Sequence, residues 1–222
     1  MSAGAMKMTF DNVPYRRELN ARDLDRMKIP SRYRDARFDE ISDTKGRGGK
    51  PSTRDMVGKY IKNMGDMIRA GGGFIFWGDN GVGKSSAAVV LAKEFRRRGH
   101  TVLFMEASEL KRMVIEKEHF DEDQLYFDRA KTVKLLVIDD FGKGVMDGTG
   151  FGATLFDELI RSRNSRRLVT IISSNLDPRK WEEDFELKKS TINTLMECTI
   201  PVRVTGPDKR LDASKKLMQL LS

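Results

Sequence analysis

Gly78-Asp79-Asn80-Gly81-Val82-Gly83-Lys84-Ser85 constrains this chain more than any other stretch. It matches the phosphate-binding pattern G-x-x-x-x-G-K-[ST] at every fixed position. Phe74-Ile75-Phe76-Trp77 before it reads as a short buried strand. From Ser86 to Arg98, Ala88, Leu91, Ala92 and Phe95 recur at helical spacing. A glycine-rich loop between strand and helix curls its N–H groups inward, forming a nest for anionic oxygens at the positive end of the helix dipole. Gly78, Asp79, Asn80, Gly81, Val82, Gly83, Lys84, Ser85 and Ser86 are therefore the expected nucleotide contacts. Lys84 reaches the terminal phosphates and the Ser85 hydroxyl holds Mg²⁺.

A strand that carries such a loop needs a partner strand that brings acid to the phosphates. Leu135-Leu136-Val137-Ile138 ends in Asp139-Asp140, as a doubly covered parallel strand would. Asp139 is expected to bind the metal. Asp140 is expected to orient or deprotonate the attacking water.

The chain has 222 residues, suited to one α/β domain with short extensions. No apolar run approaches the roughly 20 residues of a membrane span. Met1 to Leu24 is polar and mixed in charge, unlike a secretory signal. Cys198 is the sole cysteine, which excludes an internal disulfide and is expected to lie inertly in a strand. These features fit a reducing cytoplasm. The net charge of +8 suggests a polyanionic partner, most simply nucleic acid.

Residues 1–50 read as an N-terminal arm or adaptor with its linker, 51–205 as the core and 206–222 as a short tail. Helical spacing runs from Arg54 to Ala70, with Met56, Met64 and Met67 as core packing, and Gly71-Gly72-Gly73 ends it. Expected strands are Phe74–Trp77, Thr101–Met105, Leu135–Asp139, Leu168–Ser174 and Thr199–Val204. Helices are expected at Ser85–Arg98, Ser108–Lys117, Asp121–Lys131, Gly152–Arg163 and from Pro178 to about Leu195. This alternation predicts a parallel five-stranded sheet with helices on both faces, and the tail leaves little or no room for a C-terminal helical lid.

Asn175 closes the strand Leu168–Ser174. It points at the γ-phosphate if that strand lies between the loop strand and the Asp139 strand; otherwise it or Asp177 caps the next helix. Arg161, Arg163, Arg166 and Arg167 cluster at one helix end, either complementing the helix dipole or supplying an arginine finger to a neighbouring subunit. Lys111, Arg112 and Arg129 could line a phosphate track, although Glu116, Glu118, Asp121, Glu122 and Asp123 beside them also suit a mixed-charge surface. His100 and His119 read as surface residues and Trp77 as core.

Together these features resemble an AAA+ ATPase of the DnaC/IstB-like group, a branch of the P-loop NTPases that includes helicase loaders and transposition ATPases. The resemblance runs from about Ile29 to Val204. It rests on Ile29-Pro30-Ser31-Arg32-Tyr33-Arg34-Asp35-Ala36-Arg37-Phe38, on Gly78 to Ser85, on Leu136-Val137-Ile138-Asp139-Asp140-Phe141-Gly142 and on Thr170-Ile171-Ile172-Ser173-Ser174-Asn175. It implies that ATP and Mg²⁺ are held by Lys84, Ser85 and Asp139, that Asp140 assists water and that Asn175 is the first sensor. It implies also that Arg163, better spaced than Arg161, is the finger. The group's second-sensor arginine is missing: Ile192-Asn193-Thr194-Leu195 stands in its place, with Lys188 or Lys189 as a substitute or with no substitute at all. Slow turnover follows, with ATP acting mainly in assembly. The implied function is a loader that self-associates around ATP, binds single-stranded DNA and delivers a hexameric replicative helicase. The alternatives are a transposition ATPase on duplex DNA and a nucleotide-gated DNA clamp.

Overall fold

The computed structural model describes residues 17–110, 120–142, 151–185 and 187–209. Five strands form one parallel sheet: β1 (Gly73–Trp77), β2 (Val102–Glu106), β3 (Leu135–Phe141), β4 (Val169–Ser174) and β5 (Thr199–Arg203), in the order β2-β3-β4-β1-β5. The order puts β4 between the loop strand and the acid strand, the condition that aims Asn175 at the nucleotide.

The strands are apolar on both faces because helices cover both. Alternate residues divide cleanly. Phe74, Phe76, Phe104, Val137 and Ile171 pack with α2 (Thr53–Lys62) and α4 (Lys84–Arg97). Ile75, Leu103, Leu136, Ile138 and Ile172 pack with α5 (Phe120–Thr132), α6 (Phe151–Ser165), α7 (Trp181–Phe185) and α8 (Lys189–Cys198).

Some expected elements are subdivided. The helix expected over 54–70 breaks at Asn63, after which α3 (Met64–Ala70) ends on Gly71 at φ 73°. The helix expected from Pro178 becomes a 3₁₀ turn, α7 and α8. Cys198 closes α8 rather than lying in a strand. Met64 is buried and Met56 and Met67 are partly so, as the helical stripe required. His100 is half-buried against the Phe95 ring, while His119 lies outside the described residues.

The boundary at residue 50 is corrected. Residues 20–42 belong to the core: Met27, Ile29 and Ile41 are buried in the same cluster as Phe74. The helix α1 (Ala21–Arg26) is held by a capping box in which Asn20 and Asp23 satisfy each other's backbone N–H groups. Just beyond it, the Phe104 N–H donates to the Met27 carbonyl at 2.8 Å, so this segment covers the otherwise open edge of β2. No hydrophobic period announces that arrangement. The tail is described as far as Lys209.

Candidate nucleotide site

The loop between β1 and α4 takes its shape from glycines at positions where a side chain is excluded. Gly78 has φ 141°, and a Cβ there would fall 2.4 Å from the Val204 carbonyl oxygen. Gly83, at φ 98°, forms the N-terminal cap of α4 and points the first helical N–H groups into the loop. Asp79 and Asn80 form the exposed crest, and Val82 is anchored in the core. Ser86 sits half-buried in the first turn of α4.

Lys84 is buried rather than solvent-lined. Its ammonium donates to the Gly78 carbonyl at 2.9 Å, the Asp79 carbonyl at 2.7 Å and Asn175 Oδ1 at 2.7 Å. Asn175 Nδ2 in turn donates to Asp140 Oδ1 at 3.2 Å. One amide therefore joins the phosphate lysine to the acid at the end of β3. The two charged partners also fix its orientation, since the oxygen must face the ammonium and the nitrogen the carboxylate. A simple helix cap would make neither bond; Asp177 performs that role, accepting from the Arg179 N–H at 3.0 Å.

Asp139 and Asp140 face different environments because β3 bulges between them. Ile138 pairs with Ile172 and Phe141 with Ser174, so one extra residue occupies β3. Asp140 absorbs it at φ 54°, a left-handed conformation that Asp tolerates better than most residues. The bulge reverses the alternation beyond it. Phe141, three residues after Ile138, enters the same cluster as Ile138, packed at tilted and edge-on angles among Phe156, Trp181 and Phe185 with ring centroids 4.6, 4.8 and 5.3 Å away.

Two serines that sequence reasoning left unassigned hold this pair. Ser173 donates to Asp139 Oδ1 and accepts from the Asp140 N–H at 3.0 Å. Ser174 donates to the Phe141 carbonyl at 2.7 Å. Consecutive serines in an otherwise apolar strand were the available signal, because buried hydroxyls need partners. Burial pushes the Asp139 carboxyl up, and the charge of Asp140 adds to this. The Ser173 and Ser85 hydroxyls and the Arg32 charge oppose it. Arg32, from the 3₁₀ turn Ser31–Tyr33, is itself held by Glu106 at 2.8 Å, beside Asp139 in the β2–β3 register.

A phosphate nest, a hydroxyl and a buried carboxylate bonded to that hydroxyl make a donor set of hard oxygens, which fits Mg²⁺ beside a nucleotide. The tail closes over the nest. The Lys209 N–H donates to the Gly81 carbonyl at 3.1 Å, and a Cβ on Gly81 would meet Asp208 Oδ1 at 1.7 Å. Nothing in the spacing of the tail foretold this contact.

The finger assigned to Arg163 is corrected. Its guanidinium is 1% exposed and donates inward, to Thr170 Oγ1 at 2.9 Å and to the carbonyls of Ala130, Val133 and Val169 at 2.5, 3.0 and 2.6 Å. It caps the C-terminal carbonyls of α5 and cannot reach another subunit. Arg161 is exposed, paired with Asp157 at 2.8 Å and donating to Ser190 Oγ at 2.9 Å. Lys188 and Lys189 are exposed at the start of α8, and Lys188 acts electrostatically on Asp157. Trp77 is half-buried, with the Arg203 guanidinium 5.3 Å from its ring centre. Arg129 lies at the strand-start edge of the sheet, away from the nucleotide; Lys111 and Arg112 lie outside the described residues.

A family model described as IstB-like ATP binding protein matches residues 52–216. The chain belongs to this family. No curated protein matches it at the sequence level. The fold is similar to several solved structures. "Crystal Structure of the DnaI" superposes with a TM-score of 0.68 at 19% identity, covering 85% of this chain and 99% of that one. "Crystal structure of the DnaC helicase loader" gives 0.62 at 18%, covering 79% and 100%. "Replication initiator DnaA bound to AMPPCP and single-stranded DNA" gives 0.62 at 17%, covering 86% and 56%. Membership makes this an ATP-binding AAA+ chain with a P-loop NTPase fold. Among the described residues no helix is long and apolar enough to cross a membrane.

Proposed function

We propose that this protein is a cytoplasmic ATPase that loads a hexameric replicative helicase onto single-stranded DNA. The observation that carries the ATPase reading is the Asn175 amide joined to both Lys84 and Asp140. A γ-phosphate would draw on Lys84 and Asn175 together, so nucleotide state is coupled to the acid that handles water. Mg²⁺, held by Ser85 and Asp139, would neutralise developing phosphate charge. Asp140 would accept the proton of water, and Asn175 would position that water. Arg161, exposed on α6, replaces Arg163 as the proposed finger completing a neighbour's site. Such a shared site makes ATP a bridge between subunits, and hydrolysis would be slow outside the assembly.

The loader reading is supported by extent: the chain spans nearly the whole of the DnaI and DnaC helicase loader structures but about half of the DnaA one. A second reading, a transposition ATPase that binds duplex DNA and recruits a transposase, also fits the family model. Co-purification with candidate replicative helicases, with and without ATP, tests the first reading. ATP-dependent capture of a helicase with preference for single strands is expected. No capture, with a clear preference for duplex, would transfer the assignment to the second.

A further inference from the structure

The turns that feed β2, β3 and β4 share one edge of the sheet, opposite the phosphate loop. No acidic residue occurs between Glu94 and Glu106, between Asp128 and Asp139, or between Glu158 and Asp177, so every charged side chain in these three stretches is basic. The few carboxylates nearby are outnumbered. Arg17 and Arg96 share Asp23, and Arg97 and Arg98 share Glu94, so each cluster keeps an excess positive charge. Arg26, Arg129, Lys134, Arg166 and Arg167 have no carboxylate partner among the described residues. His100, just before the outermost strand β2, is pushed below its ordinary range by burial and by the charges of Lys134 and Arg98.

The edge is also concave. A cleft of about 580 Å³ opens where α1, the end of α4 and the end of α5 converge. Arg26, Arg96 and Arg129 stand around it, the Thr101 and Thr132 side chains line it, and Val102 and Val133 form its apolar base. Arg129 donates to the Arg26 carbonyl at 2.5 Å, which holds the two arginines together. Thr101 Oγ1 accepts from the Lys134 N–H at 2.9 Å, and Lys134 Nζ reaches the Arg167 carbonyl at 3.5 Å, so the basic track continues from the cleft onto the next turn.

We propose that this strand-start edge is a binding surface for the phosphate backbone of nucleic acid, with Arg26 and Arg129 at the cleft and Lys134 continuing the track. The proposal rests on the DNA-binding part of the function above and gives it a location remote from the nucleotide. Three neighbouring strands about 4.8 Å apart place their starts across about 10 Å. Arginine forks suit phosphate oxygens, and the Thr101 hydroxyl, which accepts from the Lys134 N–H, keeps its own hydrogen as a neutral donor. Because the loop lies at the other end of every strand, ATP and nucleic acid can be held at once. Binding at this edge should therefore survive loss of the nucleotide.

The test uses the full chain with Arg26→Gln and Lys134→Gln combined, both neutral changes to side chains outside the core. Binding to single-stranded oligonucleotides is measured across a salt series, with nucleotide affinity and thermal unfolding as checks on folding. Wild-type protein should bind without ATP, and the double variant should bind at least tenfold more weakly at low salt. Its log–log salt slope should be shallower by about 1.4, two contacts at about 0.7 each. In wild-type protein, acetylation of Lys134 should fall when DNA is bound. Unchanged affinity and slope in the variant, with wild-type protein binding DNA, would overturn the proposal and leave the DNA-binding reading standing. No DNA binding by wild-type protein at low salt would overturn both. Normal DNA binding with lost helicase capture would make the edge a protein-docking surface and refute the proposal.

Discussion

Arg163→Ala should weaken the fold rather than disable a finger. The guanidinium satisfies one hydroxyl and three carbonyls in a site it seals completely. Removing it leaves the carbonyls of Ala130, Val133 and Val169 without this donor, each worth about 1–3 kcal/mol when left unpaired, and opens a cavity. Two effects oppose the loss. Burial of the cation is itself unfavourable, lowering its pKa to about 9, and that penalty disappears with the charge. Water entering the polar cavity can also satisfy some carbonyls. A net loss of about 3 kcal/mol follows from comparable breaks of buried charged networks, or about 6–12 °C in a domain of this size. Arg163→Lys should recover only part of it, because a single ammonium cannot reach the same fork of acceptors. The assay is thermal unfolding by calorimetry, followed by turnover of Arg163→Ala mixed with Lys84→Ala at a temperature where both are folded. At that temperature Arg163→Ala alone should turn over ATP like wild type, leaving nothing to recover on mixing. Wild-type unfolding temperature together with recovered turnover would refute the structural role and reinstate the finger.

Arg161→Ala should leave stability within about 0.5 kcal/mol, as for most exposed positions, yet lower turnover in the assembly; mixing it with Lys84→Ala should restore part of the activity, and absence of recovery from co-assembled mutants counts against Arg161. Lys84→Ala should abolish nucleotide binding in calorimetry while the sheet stays folded, and wild-type affinity would remove the site assignment. Asp140→Asn should keep ATP binding and the left-handed backbone but cut turnover; Asp140→Ala should in addition lose roughly 1 kcal/mol, because alanine resists positive φ. Burial works to raise the Asp23 carboxyl, but hydrogen bonds from Arg17, the Asn20 backbone and Arg96 outweigh it and hold it below the usual carboxylate range. Its stabilisation is therefore present at neutral pH and lost as pH falls through that depressed value. Asp23→Asn should unfold earlier than wild type at pH 7 and show a shrinking difference below about pH 4. A constant gap across the pH series would mean that the charge of Asp23 contributes nothing.

The nucleotide site and the layered sheet were legible because both are written in contiguous residues. A glycine spacing, a lysine and a serine specify a loop whatever surrounds it. Apolar runs of four to six residues between amphipathic stretches specify buried parallel strands. The strand order was not legible: that β4 lies between β1 and β3 stood only as the condition for Asn175 to face the phosphates, and the structure meets it. Where local chemistry was ambiguous, distant chain decided. Arg163 and Arg161 are two residues apart on one helix, and nothing in their spacing says which faces inward. Ala130 and Val133, some thirty positions earlier, supply the carbonyls that draw Arg163 in and leave Arg161 at the surface. Asp139 and Asp140 look like equivalent acids until a single extra residue in β3 separates them. The out-of-phase Phe141 was the one trace of that bulge in the sequence. The segment 20–42 lacked any clear period because it contributes isolated anchors, Met27, Ile29 and Ile41, to a core built by other elements. The basic edge likewise exists only after folding, when turns separated by some thirty residues line up at the starts of adjacent strands. Sequence alone determined the chemistry that needs neighbours in the chain; the tertiary structure decided every question of which side chain is buried, because burial depends on atoms that the local sequence does not contain.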